Sequence, residues 1–94
     1  MGEGIKHDSD KLRWDILPYE QIEQVVSVLT FGANKYTAYN WQKLDNLEER
    51  CFAAMMRHAV EYKKGNKIDN ETGRSHLAHA ICCALFMMWN DDNA

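Results

Sequence analysis

The sequence predicts an all-α small domain: three main helices behind an ordered N-terminal arm, oligomerising into a helical bundle. Two observations carry the helices. Apolar residues recur three and four apart in separate segments, the spacing of one helix face. Pro18, Gly32 and Gly65 punctuate those segments at positions where helices start or stop. A third observation carries the oligomer, because apolar residues gather into a few runs that a chain this short cannot bury alone.

Residues 1–10 are rich in glycine and charge and lack periodicity, which reads as an arm. In the segment from Lys11 to Pro18, apolar residues return at Leu12, Trp14, Ile16 and Leu17, as in an extended stretch that packs on something. Lys6, Lys11 and Arg13 alternate with Asp8, Asp10 and Asp15. These charges either form local ion pairs on a solvated arm or contact phosphate, and Lys11 and Arg13 are candidate ligand-binding residues.

Pro18 suits a first helical turn, and Ile22, Val25, Val26 and Leu29 keep helical spacing up to Gly32, so the first helix is expected over residues 18–31. Glu20 and Glu23 share one of its sides, either as cation ligands or as the wet face of an amphipathic helix. The stretch Phe31 to Trp41 is dense in aromatics yet lacks the alternation of a strand. Lys35, Tyr36, Asn40 and Trp41 offer flat faces, hydrogen bonds and a cation, which suit a stacked base and a held phosphate; plugging the core is the alternative.

Asp45 or Asn46, with Glu48 or Glu49 after it, reads as a capping box for a second helix over residues 47–64. Cys51 to Met56 are six consecutive apolar residues covering every side of that helix, so Arg57 and His58 beyond them are expected to be partly enclosed. An enclosed arginine needs a carboxylate or a phosphate. Asp69 to Gly73 has turn composition, Ser75 is a plausible N-cap, and the third helix is expected over residues 75–90. Beyond His79 it is apolar all round, which calls for burial on every side.

The whole chain, residues 1–94, reads as one domain. A net charge of −3, with no basic stretch, excludes the electrostatic footprint of a duplex nucleic-acid binder. The longest apolar run, Ala80 to Trp89, is ten residues, about half of a membrane span, and no signal-peptide core is present. Three cysteines, two of them adjacent, suit reduced thiols. The expectation is a cytoplasmic protein, in the host cytoplasm if a phage encodes it, without a membrane partner.

Chemistry concentrates between Arg57 and His79, where three of the four histidines fall. His58 shares a helix side with Glu61 and Tyr62, and His76 with His79. A short loop favours antiparallel packing of the two helices, which brings His58, Glu61, His76 and His79 together with the loop carboxylates Asp69 and Glu71. His58, His76 and His79 are therefore candidate ligands of a divalent metal, with a carboxylate from Glu61, Asp69 or Glu71 as fourth group and candidate catalytic residue. Imidazole with carboxylate suits Mn, Co or Zn. Arg57 and His58 are also candidate ligand-binding residues, and packing of the helix start by hydrogen bonds is the purely structural reading.

The order Lys-Leu-Arg-Trp-Asp-Ile-Leu-Pro, then Leu-Thr-Phe-Gly-Ala-Asn-Lys-Tyr, Asn40-Trp41, Arg57-His58, Asp69-x-Glu71-x-Gly73 and His76-Leu-Ala-His79-Ala resembles the phage-type dATP/dGTP diphosphohydrolase N-terminal-domain family. The resemblance covers residues 6–89. That family is likened to the all-α nucleoside triphosphate pyrophosphohydrolases of MazG type, which assemble as dimers or tetramers and hold Mg²⁺ on Glu-x-x-Glu and Glu-x-x-Asp pairs. Here Glu20-x-x-Glu23 is the only such pair, and His76-x-x-His79 stands where the second is expected. The resemblance implies a metal-dependent enzyme, with Mg, Mn or Co, that converts purine nucleoside triphosphates or their deoxy forms to monophosphate and pyrophosphate. The alternatives are a non-catalytic sponge that sequesters a nucleotide immune signal, and a structural interaction module. The expected partners are a small-molecule nucleotide and further copies of the chain.

Overall fold

The computed structural model describes residues 3–94, so the first two residues of the expected arm lie outside the described residues. Three α-helices of 17 residues each dominate: α1 (Tyr19–Lys35), α2 (Leu47–Lys63) and α3 (His76–Asp92). Short 3₁₀ turns precede α1 at Trp14–Ile16 and α2 at Asn40–Lys43. Among the described residues there is no strand, and Ile68 and Ser75 form a single antiparallel bridge. The fold is all-α, as the spacing predicts. No helix is long and apolar enough to cross a membrane.

α2 and α3 form an antiparallel hairpin, and α1 packs on α3. Val25 of α1 meets Ala78 and Cys82 of α3 in a small core, flanked by Val28, Leu29 and Phe86. The connector after α1 is plugged by Trp41, which stacks on Phe86 at 4.3 Å between ring centroids and meets Trp89 edge-on at 5.0 Å. Burial makes Cys82 and Cys83 inert: their thiols are pushed up to about 12 and about 11, and both are free.

Four sequence expectations are corrected. α1 does not stop at Gly32 but runs to Lys35, because glycine costs a helix interior only about 1 kcal/mol. No side-chain cap bond forms at Asn46, which instead adopts a left-handed backbone with φ 54°, so the expected capping box is absent. The arm segment does not pack on the rest of the chain: Leu12, Trp14 and Ile16 are all exposed. Arg57 is exposed on α2 rather than enclosed, because the apolar run before it splits between buried Cys51 and exposed Phe52 and Met56.

Candidate functional site

The loop between α2 and α3 is built to hold side chains still. Gly65 at φ +101° and Gly73 at φ +70° take the left-handed turns that ordinary residues avoid. The Asp69 amide donates to the Arg74 carbonyl at 2.8 Å, the Gly73 amide to the Asp69 carbonyl at 2.8 Å, and the His76 amide to the Lys67 carbonyl at 2.9 Å. α1 pins the loop from outside. Gln24 Oε1 accepts from the Ser75 amide at 3.0 Å, and Arg74 Nε donates to Ser27 Oγ at 2.9 Å. Ser75 Oγ then caps α3 by accepting from the Leu77 amide at 3.0 Å.

This frame brings the histidines together. His58 Nδ1 lies 2.8 Å from Nδ1 of buried His76, so one ring donates and the other accepts. His79 stacks on His58 at 4.4 Å. Asp69 Oδ2 accepts from the Thr72 amide at 3.0 Å and from its hydroxyl at 3.1 Å. With that hydroxyl donating, the Thr72 oxygen is left to accept from His79 Nε2–H at 2.7 Å. This network assigns the tautomer that leaves His79 Nδ1 bare. His79 Nε2 also lies 3.4 Å from Asp69 Oδ2.

Burial pushes the His58 and His79 imidazoles below their usual value, reinforced at His58 by the other two histidines and opposed at His79 chiefly by Asp69. Both are neutral at pH 7, the form that binds metal or accepts a proton. Burial lifts the Asp69 carboxyl, but the Thr72 hydrogen bonds and His79 outweigh it and keep the carboxylate ionised. Donor atoms of His58, Asp69 and His76 all lie within 4.8 Å of one another, a set of two imidazoles and one carboxylate that fits Mn, Co or Zn better than Mg.

Beside this cluster opens a cavity of about 450 Å³ walled by Val28, Leu29, Trp41, Cys82 and Phe86, with His79 shared between the two. Its polar lining comes from Lys35, Asn40, Arg50 and Glu71, with Tyr36 at the same end. Lys35 Nζ donates to Glu71 Oε2 at 2.9 Å across the mouth.

The residues singled out from the sequence thus divide. Lys35, Tyr36, Asn40, Trp41, Glu71 and His79 line the cavity, and His58, Asp69 and His76 form the triad. His79 lies beside that triad rather than within it. Glu61 is held by Asn66 at 2.9 Å and Lys64 at 3.6 Å, outside the triad. Lys11, Arg13 and Arg57 are exposed and do not line the cavity; Arg13 instead pairs with Asp15 at 2.7 Å. Glu20 and Glu23 are exposed and belong to no metal-ligand cluster among the described residues. Sequence reasoning missed Arg50 and Thr72. The Asp69-x-x-Thr72 spacing, with its side-chain turn bond, was the available signal for the second.

The family described as dATP/dGTP diphosphohydrolase, N-terminal, matches residues 1–94. The chain belongs to this family. A dATP/dGTP diphosphohydrolase of Salmonella phage PMBT28 is 40% identical over 86 residues, covering 92% of the chain. The chain spans only 29% of that relative's length. No solved structure matches.

Proposed function

We propose that this dATP/dGTP diphosphohydrolase N-terminal domain hydrolyses purine deoxynucleoside triphosphates to the monophosphate and pyrophosphate, using a divalent metal on His58, Asp69 and His76. The observation that carries this reading is the shared wall. His79 belongs both to the histidine–carboxylate cluster and to an aromatic-walled cavity of about 450 Å³, within the size range of small-molecule sites. The name of the phage relative supports the substrate class.

In this reading the base and sugar occupy the cavity, where Trp41 is held rigid by Phe86 and Trp89. Lys35 and Arg50 take the phosphate oxygens, and Arg50 is available because it forms no ion pair among the described residues. Lys35 must first exchange Glu71 for phosphate, a small cost because exposed pairs are worth at most about 1 kcal/mol. A metal bound to the triad supplies charge neutralisation and a more acidic water. His79 Nδ1 accepts the proton of the attacking water, while Thr72 and Asp69 fix the ring from its other nitrogen. Water adds to the α-phosphorus, the bond to the bridging oxygen breaks, and pyrophosphate leaves.

One observation favours a second reading, a nucleotide sponge. The triad has a single carboxylate, whereas cations that bridge phosphates prefer several hard oxygen ligands. Lys35, Arg50 and the aromatic wall would then hold a nucleotide and release it intact. Incubation with dATP, dGTP and cyclic nucleotides plus Mn²⁺, followed by filtration, denaturation and ion-exchange chromatography, separates the two. Monophosphate and pyrophosphate beyond stoichiometric amounts are expected; an intact nucleotide recovered only after denaturation supports the sponge.

A further inference from the structure

α3 is apolar on every side, yet only two sides are covered. Ala78, Cys82 and Phe86 meet α1, and His76, His79 and Cys83 lie toward α2. The third side carries Leu77, Ile81, Leu85 and Met88, which are 41%, 45%, 43% and 61% exposed. Their spacing of four, four and three keeps them in one stripe, and no charged residue interrupts it.

The surface balance gives the scale of what is missing. The chain exposes 7643 Å², whereas a compact monomer of its 10.9 kDa mass exposes about 5,600 Å². The excess of about 2,000 Å² is more than twice the roughly 800 Å² that one partner contributes to a stable interface. Part of it belongs to the arm. The interior is correspondingly sparse: five apolar residues are buried, and no large side chain is fully enclosed.

We propose that the bare side of α3 is covered by α3 of a second copy of this chain, running antiparallel about a two-fold axis near Cys82 and Cys83. The charges at the helix ends choose the direction. Arg74 precedes α3 and forms no ion pair among the described residues, while Asp91 and Asp92 close it. Antiparallel pairing sets the acidic end of each helix beside Arg74 and the helix N-terminus of its partner, whereas parallel pairing stacks acid on acid. One register satisfies all of this. It places Ile81 against Leu85, Leu77 against Met88 and Arg74 against Asp92 of the other copy, each isologous contact occurring twice. This surface is independent of the nucleotide reading, because neither the cavity nor the triad uses the stripe.

The test is sedimentation equilibrium of the full chain, wild type, Ile81→Glu and Phe52→Glu, with helicity followed by circular dichroism. Ile81 and Phe52 are both exposed within one copy, so each variant is expected to keep its helical content. Wild type and Phe52→Glu are expected at twice the chain mass, and Ile81→Glu at the 10.9 kDa of one chain. A monomeric wild type, an Ile81→Glu that remains dimeric, or a dimer broken by Phe52→Glu overturns the proposal. Asp92→Arg alone is expected to weaken the dimer, and addition of Arg74→Asp to the same chain to restore it; no change in either overturns the antiparallel register.

Discussion

Asp69 is the residue on which the candidate chemistry turns. It is the one carboxylate in the triad, and its Oδ2 also anchors Thr72, which in turn holds His79. Asp69→Asn is nearly isosteric but neutral, so turnover in the presence of Mn²⁺ is expected to fall by more than about a hundredfold, beyond the range of an outer-shell change. Proton linkage gives a second expectation. His58 and His79 titrate below 6.5 when folded, so the unfolded chain binds protons first as pH falls below that value. Their contribution to stability is therefore complete above about pH 6.5 and declines from there through the depressed native values, levelling off below them. Thermal unfolding between pH 8 and pH 5 measures this; a melting temperature that rises on acidification contradicts it. At this scale the sequence was only partly legible. The three histidines and Asp69 stood out by type and spacing, and antiparallel packing followed from the short loop. Arg57 misled, because a long apolar run was read as enclosing whatever followed it. Arg50 carried no local signal at all, since it becomes relevant only where the connector after α1 returns across α2.

The α2–α3 loop and its flanking caps convert those residues into a site. Ser75 is the one helix N-cap with a side-chain bond, so Ser75→Ala is expected to cost about 1 kcal/mol. In a domain this small that lowers the melting temperature by roughly 4–8 °C. Gly73 sits at φ +70° with open space where a Cβ would stand, so Gly73→Ala meets backbone strain and no clash. Calorimetry is expected to show a loss of about 1–2 kcal/mol, with metal affinity reduced because Asp69 and Thr72 belong to the same turn. The helices themselves were legible because apolar spacing survives any tertiary context. Their ends were less so. Gly32 reads as a stop, yet α1 continues to Lys35, and those added residues bring Lys35 to the cavity mouth.

At the scale of the molecule, the cavity and the bare side of α3 share an origin: three helices of equal length do not enclose a core. α1 covers one side of α3, α2 another, and the space left beneath the connector becomes a ligand-sized cavity. Neither feature follows from periodicity, because both depend on how far apart the helices sit. The need for a partner was nonetheless readable in a third helix with no polar side. If a second copy covers it, the melting temperature is expected to rise with protein concentration. The domain is 29% of the length of its phage relative, and a longer chain would place further residues around the same triad.

The central claim is that a metal on His58, Asp69 and His76 drives turnover, and titration of Co²⁺ into the protein with dGTP present tests it most directly. Visible absorption reports cobalt coordination while pyrophosphate release is followed in the same samples. Expected is a cobalt spectrum that saturates at one ion per triad in step with turnover, with both lost in Asp69→Asn. Turnover at full rate in Asp69→Asn, or a cobalt spectrum unchanged by that substitution, would contradict it.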